Sequence, residues 1–225
     1  MTTCEDWCVD RLGYQFSDSD LLKQALTHRS ASKHHNERLE FLGDAVLGLS
    51  IARALFDQKP EVREGGLSRF RAGLVRRESL ADLAREIDLG AHLELGGGER
   101  RSGGNQRASV LADALEAVIG AILLDGGFSG ANDAVLRIFS SRLANLPHEL
   151  ELIDPKTRLQ EYLQSRQLPP PDYSLAHVSG ADHARTFDMQ CRIPALDLEA
   201  KGIGTSRRRA EQAAASAALE LLQDG

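Results

Sequence analysis

Three carboxylates stand at helical spacing in the segment NERLEFLGDAVL, where Glu37, Glu40 and Asp44 occupy positions i, i+3 and i+7. On a helix this spacing places all three side chains on one face, where like charges repel each other. One interpretation is a solvated acidic surface that Arg38 partly compensates. The other is one half of a site that holds a cation.

A second acidic pair lies in the apolar segment VLADALEAVIGAILL, in which Asp113 and Glu116 are the only ionisable residues. This composition predicts a buried helix, and an unpaired carboxylate in a protein interior is costly or takes up a proton. A Lys or Arg could compensate the pair, but the segment contains neither. Carboxylates from two helices match the oxygen ligands that Mg²⁺ prefers. The pattern therefore indicates metal-dependent phosphoryl chemistry, because carboxylate-held divalent ions assist phosphodiester hydrolysis.

The acids belong to a half of the chain with helical periodicity. Apolar residues recur at helical spacing between residues 18 and 143, as in Leu39, Leu42 and Val46. The basic, glycine-rich segment 93–107 interrupts the pattern and predicts a loop or a loosely ordered connection. We expect an all-α domain over residues 1–147.

The pattern changes after Pro147, and residues 148–153 are predicted to link a second domain at residues 154–225. Residues 157–167 have the spacing of an amphipathic helix, and residues 186–193 alternate like a strand with one buried face. Weaker alternation at 173–178 and 196–203 predicts two neighbouring strands. An Ala-rich helix from Arg207 to Leu222, capped by Ser206, completes an α+β domain of order α-β-β-β-α.

The last helix begins with three adjacent arginines, Arg207, Arg208 and Arg209. Positive charge is unfavourable at this end of a helix dipole. Such violations of a local rule are expected at functional sites, and a helix N-terminus with arginines can hold phosphates. A solvated basic run is the alternative interpretation.

Charge and composition limit the function classes only weakly. The 225 residues carry a formal net charge of −6, which is unusual for a nucleic-acid binder. The acidic excess lies mostly before residue 154, so a local phosphate-binding patch is compatible with it. The three cysteines lack a metal-ligand spacing and are interpreted as reduced thiols. No apolar stretch has membrane-spanning length, and we expect a cytoplasmic protein without membrane contact.

Four stretches together resemble the ribonuclease III family, namely LTHRS at 26–30, ERLEFLGDAVL at 37–47, EGGLSRFRAGLV at 64–75 and LELGGGERRSGGNQRASVLADALEAVIGA at 93–121. The resemblance implies a homodimeric all-α endonuclease in which each of two sites, lying in one acidic valley, cuts one strand of double-stranded RNA. It implies hydrolysis by water that a divalent metal activates, with Mg²⁺ as the cofactor and Mn²⁺ as a possible substitute. The products would carry 5′-phosphate and 3′-hydroxyl ends with short 3′ overhangs, and the substrates would include rRNA and mRNA precursors.

The same resemblance assigns roles to single residues. The metal-binding carboxylates that it implies are Glu40, Asp44, Asp113 and Glu116. Asp44 and Glu116 are the most directly catalytic of these. Glu37 and Glu64 resemble acids that line the valley, although Glu64 could equally be a helix-start acid. Phe41 resembles the family's dimer-interface aromatic, with an ordinary core aromatic as the alternative. We assign His28 a packing or capping role.

The C-terminal stretches DPKTRLQEYLQ, SGADH, TFDMQCRI and GIGTSRRRAEQAAASAALELL resemble the double-stranded-RNA-binding domain. In that family the first helix and a strand loop touch successive minor grooves, and the last helix spans the phosphates between them. The RNA-binding residues that this implies are Thr157, Gln160, Glu161, His183, Ser206, Arg207, Arg208 and Arg209.

Two rival functions belong to other classes. A non-catalytic protein that binds double-stranded RNA would keep the fold and lose the chemistry, yet all six expected acids are present. A metal-dependent phosphohydrolase of small nucleotides would also explain the acids. The sequence has no phosphate-cradling P-loop motif, however, and such an enzyme would have no need of the C-terminal module.

Overall fold

The computed structural model describes residues 3–147, 154–180 and 185–223. The chain divides into two compact units, Met1–Pro147 and His148–Gly225. The predicted linker at 148–153 lies outside the described residues. No helix in the described part of the chain is long and apolar enough to cross a membrane.

The described part of the N-terminal unit is helical, which confirms the all-α prediction. Its α-helices are α1 (Cys4–Leu12), α2 (Ser19–Leu26), α3 (Glu37–Gln58), α4 (Glu64–Val75), α5 (Arg77–Glu86), α6 (Gly97–Arg101) and α7 (Ala108–Ala144). Short 3-10 turns occupy Leu89–His92 and Gly104–Gln106. The long helix α7 is interrupted at Gly127, whose φ of 71° a residue with a side chain rarely adopts.

Helices α3 and α7 pack against each other at the centre of this unit. The first part of α7 is buried on nearly every side, as its apolar composition predicted. The two backbones approach closely at Gly43 on α3 and Gly120 on α7. A Cβ at Gly43 would overlap the carbonyl oxygen of Glu116, and one at Gly120 would overlap that of Leu39. The glycines therefore set the distance between the two helices that carry the acids.

Segment 93–107 is more ordered than predicted. Its first residues pair with the LTHRS segment, since the amide of His28 donates to the carbonyl of Glu94 at 3.0 Å and the amide of Glu94 donates to the carbonyl of Leu26 at 2.9 Å. A Cβ at Gly96 would overlap the carbonyl oxygen of Ser30. Two of the five glycines that suggested a loop, Gly96 and Gly104, thus permit close packing, and the first residues of the segment are fixed beside residues 26–30.

The C-terminal unit has the predicted order α-β-β-β-α. Its elements are α8 (Pro155–Ser165), β1 (Asp172–Ser179), β2 (Thr186–Ile193), β3 (Leu198–Gly204) and α9 (Arg207–Gln223), with a 3-10 turn at Pro194–Leu196. The strands form one antiparallel sheet of order β1-β2-β3. Helix α9 packs on β3, and a Cβ at Gly202 would overlap its backbone at Ala214. This close contact explains why α9 is rich in alanine.

The predicted cap of α9 and the predicted free thiols are confirmed, and α8 has a cap that was not predicted. The hydroxyl of Ser206 accepts a hydrogen bond from the amide of Arg209 at 3.2 Å and so caps α9. Asp154 caps α8 in the same way, through the amide of Thr157 at 3.1 Å. Cys191 lies in the core with Leu159 and is a free thiol, as are Cys4 and Cys8.

Candidate functional site

The packing of α3 on α7 brings carboxylates from both helices together. Oxygen atoms of Glu40, Asp113 and Glu116 all lie within 4.8 Å of one another, and each of the three residues is partly buried. We call these three residues the carboxylate cluster. Oxygen ligands of one Mg²⁺ ion at about 2.1 Å each lie roughly 3 to 4 Å apart, so the cluster needs little movement to hold such an ion.

Burial and mutual repulsion make the cluster hold protons strongly. The pKa of Glu116 is raised to about 8, first by burial and then by the charges of Asp44, Glu40 and Asp113. Burial also raises the pKa of Glu40, with Asp113 as the next cause. The cluster is thus acidic overall and consists of hard oxygen donors, and both properties fit a divalent cation.

Cations outside α7, among them Arg77 and Arg29, compensate the cluster in part. The positive charge of Arg77, the first residue of α5, lowers the pKa of Asp113, although burial raises it more. Arg77 also lowers the pKa of Glu116 against the larger effect of burial. The apolar segment around Asp113 predicted that compensation must come from elsewhere. It gave no signal for Arg77, because only tertiary packing brings α5 to this site.

Of the other predicted acids, Asp44 and Glu37 lie close enough to raise the pKa of cluster members, and Glu64 is not among the groups that do so. Asp44 is exposed on α3, and its charge raises the pKa of Glu116, although its oxygens are not among the mutually close atoms. Glu37 is exposed and accepts a hydrogen bond from Nη1 of Arg29 at 3.2 Å. Glu64 begins α4, where its Oε1 accepts a hydrogen bond from the hydroxyl of Ser68 at 2.8 Å. The structure does not bring Glu64 into the cluster.

Phe41 is not a core residue, because 81% of its surface is exposed. Leu49 and Phe56 on the same helix are 56% and 67% exposed. Together with Ala45 and Ala52 these residues recur on one side of α3, and we call them the apolar face of α3. A groove of about 560 Å³ lies at its end, between Phe56 and the start of α4.

A pocket of about 590 Å³ lies directly beside the cluster. Its lining includes Glu40 and Asp113 from the cluster together with His28, Arg29 and Arg107. The sequence motifs contained these three residues, yet no spacing rule assigned them to the site. Arg107 precedes α7, and the paired segments 26–30 and 93–96 bring His28 and Arg29 to the same place.

In the C-terminal unit, residues from both helices line one groove of about 560 Å³, including Thr157 and Gln160 of α8 and Arg208 of α9. Lys156, which sequence analysis missed, lines it too and pairs with Glu211 at 2.7 Å. The remaining predicted RNA-binding residues within the described part are exposed, namely Glu161, Ser206, Arg207 and Arg209. His183 lies outside the described residues.

Comparison with protein families covers both units. A family model described as Ribonuclease-III-like matches residues 18–143, and one described as Double-stranded RNA binding motif matches residues 155–222. Ribonuclease 3 of Alkalilimnicola ehrlichii is 50% identical over 224 residues, which cover 100% of this chain and 98% of that protein. Ribonuclease 3 of Proteus mirabilis is 53% identical over 95% of this chain and 94% of that protein.

A solved structure agrees with these relatives for the first unit. The nuclease domain of a ribonuclease III from Campylobacter jejuni, whose description refers to a region involved in dimer formation, is 42% identical with a TM-score of 0.60. The match covers 62% of this chain and 99% of that domain.

Proposed function

The chain belongs to the ribonuclease III family and is an endoribonuclease of double-stranded RNA, and on that premise we propose that its cutting site is formed by Glu40, Asp44, Asp113 and Glu116. The observation that carries the proposal is the convergence of carboxylates from α3 and α7 in a partly buried cluster. Burial of mutually repelling acids destabilises the fold, and a bound cation offsets that cost.

The family is metal-dependent, and we propose Mg²⁺ as the ion, with Mn²⁺ as a substitute. Glu40, Asp113 and Glu116 would hold it through oxygens alone, which is the ligand type that both ions accept. When bound, such an ion activates water and stabilises charge on the attacking and leaving oxygens. Asp44 and Glu116 are the proposed catalytic pair, as their positions in the family's motifs imply. Glu37 and Glu64 would line the surrounding valley.

The proposed working unit is a homodimer. One carboxylate cluster can cut only one RNA strand, so cutting both strands of a duplex requires two copies of the chain. The apolar face of α3, with Phe41 as its most exposed aromatic, is the proposed contact surface, since an apolar row of this kind gains stability when it leaves water. The products would be 5′-phosphate and 3′-hydroxyl ends with short 3′ overhangs, made from cytoplasmic rRNA and mRNA precursors.

The C-terminal unit is the proposed RNA anchor, with residues 148–153 as the linker. Thr157, Gln160 and Glu161 would face one minor groove and His183 the next. Ser206 and the three arginines after it would contact phosphates, because guanidinium groups bind phosphate oxygens well. The groove that Thr157, Gln160 and Arg208 share supports a common RNA surface for α8 and α9.

Incubation of the protein with long duplex RNA, with and without Mg²⁺, tests this function. We expect short duplexes only with the metal, and end-group analysis should find 5′ phosphate and 3′ hydroxyl. Single-stranded RNA of the same sequence is the control and should remain intact. A protein that binds the duplex and never cuts it would support the non-catalytic alternative.

A further inference from the structure

We propose that the pocket beside the carboxylate cluster binds a backbone phosphate of the RNA strand that is cut, with Arg29 and Arg107 as its phosphate ligands. The pocket is lined by both arginines and by two members of the cluster, Glu40 and Asp113. A phosphate in it would therefore lie next to the site of cleavage. The inference rests on the proposed function and adds a binding subsite of the nuclease unit to it.

The charges of the pocket imply an order of binding. Four carboxylates and two arginines line it, the acids being Glu37, Glu40, Glu99 and Asp113. The lining is thus formally negative by two charges, which repels a phosphodiester. One divalent cation on the cluster neutralises that excess, and a second would make the pocket positive. Phosphate binding here should consequently follow cation binding.

Both arginines are held in place by acids that do not belong to the carboxylate cluster. Arg29 pairs with Glu37 at 3.2 Å, and Arg107 pairs with Glu99 and donates to the hydroxyl of Ser102 at 3.3 Å. The side chain of Arg107 is 48% exposed, and that of Glu99 only 19%. An exposed guanidinium has five donors and gains little from a single surface ion pair. Each arginine can therefore be positioned by its acid and still donate to a phosphate.

His28 supplies a further donor to the same pocket. The amide of Ser30 donates to Nδ1 of His28 at 3.2 Å, so Nδ1 is an acceptor and the neutral ring carries its proton on Nε2. The hydroxyl of Ser30, which accepts from the amide of Gly96 at 2.9 Å, lies 2.8 Å from the same Nδ1. Ser30 thus fixes the Nδ1 edge of the ring, and Gly96 holds the hydroxyl of Ser30 in place. The contacts of Nδ1 with Ser30 agree with the packing role expected for His28. The Nε2–H would then be the donor that His28 offers to a phosphate.

Arg107→Gln in the full-length protein tests the proposal. Loss of a charged hydrogen bond to phosphate should lower kcat/KM for duplex cleavage in Mg²⁺ roughly 10- to 100-fold. The slope of log kcat/KM against log salt should become shallower by about 0.7 to 0.9 for the lost phosphate contact. Arg107→Lys should keep most of the slope, since it keeps the charge. Arg100→Gln is the matched control, because Arg100 is exposed in the same segment and is not among the pocket-lining residues.

Glu99→Gln separates phosphate binding from a structural role of the ion pair. If Arg107 served only to hold Glu99, both substitutions would reduce cleavage equally. We expect Glu99→Gln to keep the wild-type salt slope, and thermal melting should show that both variants are folded. An unchanged salt slope in Arg107→Gln while the wild type cuts normally would overturn the phosphate pocket alone, because a lost phosphate contact must make the slope shallower. A wild-type protein that fails to cut duplex RNA in Mg²⁺ would overturn the pocket together with the proposed function.

Discussion

If the proposed ion binds at the carboxylate cluster, it competes with a proton for the carboxyl group of Glu116. Burial is the main reason that its pKa is raised to about 8, and three neighbouring acids add to the effect. Arg77 opposes the shift without cancelling it. A divalent cation requires the ionised form of its ligand, so metal binding at this site must displace the proton.

This competition predicts a pH-dependent metal requirement. We expect the Mg²⁺ concentration for half-maximal cleavage to rise as the pH falls below about 8, by up to about tenfold per unit if one proton is displaced. Titrations of Mg²⁺ between about pH 6 and about pH 9 would measure it. A half-maximal concentration that stayed constant over that range would contradict the assigned role of Glu116.

The metal-free protein provides the control for the same group. Because the folded-state pKa of Glu116 is raised, its contribution to stability is fully present below its ordinary value of 4.5 and is lost as the pH rises towards about 8. The melting temperature in a chelator should therefore fall over this window more in the wild type than in Glu116→Gln. Added Mg²⁺ should reduce the difference.

Substitution of Glu116 should separate cleavage from binding. In Glu116→Ala or Glu116→Lys, the cluster loses a ligand, and the loss of metal-assisted stabilisation should reduce the cleavage rate by orders of magnitude. Duplex binding should change far less, because most of it is assigned to Arg207, Arg208, Arg209 and the exposed side of α8. Circular dichroism would verify folding. Near-normal cleavage by folded Glu116→Ala in millimolar Mg²⁺ would exclude the proposed site.

The sequence drew attention to the acids of the carboxylate cluster and not to the cations near it. Asp113 and Glu116 attract notice because charged groups are rare in so apolar a segment. Arg77 and Arg107 lie in polar segments where an arginine is ordinary, and only the packing of α5 and of residues 93–107 gives them a place at the site. Charge compensation across elements leaves no local pattern to detect.

At the scale of elements, the geometry of the cluster depends on the distance between α3 and α7. We expect Gly43→Ala and Gly120→Ala to force the helices apart, because each new Cβ would overlap a backbone carbonyl of the other helix. Overpacking of this kind destabilises by about 1 to 3 kcal/mol or more, which outweighs the roughly 1 kcal/mol that alanine gains in helix propensity. Denaturant unfolding would measure the loss, and cleavage should fall with it.

Gly73→Ala on α4 is the matched control for that prediction. Gly73 also lies inside a helix, but a Cβ there would meet nothing within 4 Å. Only the propensity gain remains, so this variant should be neutral or slightly more stable. Equal stability of Gly43→Ala and Gly73→Ala would show that the close contact of α3 and α7 does not constrain the fold.

Periodicity predicted the elements that have one buried and one exposed face. Strand β2 alternates clearly because Met189, Cys191 and Ile193 are buried between exposed or half-buried neighbours. Strand β1 has no fully buried residue along its length, so its sequence lacks the same signal. Glycine content misled the prediction for residues 93–107, since Gly96 allows close backbone packing against Ser30 as well as marking a turn.

At the scale of the whole molecule, the exposed apolar face of α3 predicts self-association. Light scattering at micromolar concentration should give twice the chain mass of 24.5 kDa. Phe41→Glu should shift the protein towards monomer and convert double-strand cuts into nicks or abolish them, because a charge cannot be buried there without a partner. Phe128→Glu, which changes an aromatic that is 46% exposed on α7, is the matched control and should remain dimeric. A wild-type monomer at these concentrations would contradict the paired-cut mechanism.

The division into two units predicts that chemistry and anchoring can be separated by truncation after Leu152. All the proposed cutting-site acids lie in Met1–Pro147, whereas Arg207, Arg208 and Arg209 lie in the second unit. The truncated protein should be a weak nuclease that works at low salt, because affinity for phosphate falls steeply as salt rises, by roughly 0.7 to 0.9 logarithmic units per decade for each contact. Its salt slope should be shallower than that of the full chain, while cleavage at saturating RNA should change less.

Replacing the three arginines by glutamine in the full-length protein is the control, since it removes the charges and keeps the unit. If the truncated protein kept the full salt slope, the phosphate contacts would have to lie in the nuclease unit, and the C-terminal unit would not be the electrostatic anchor.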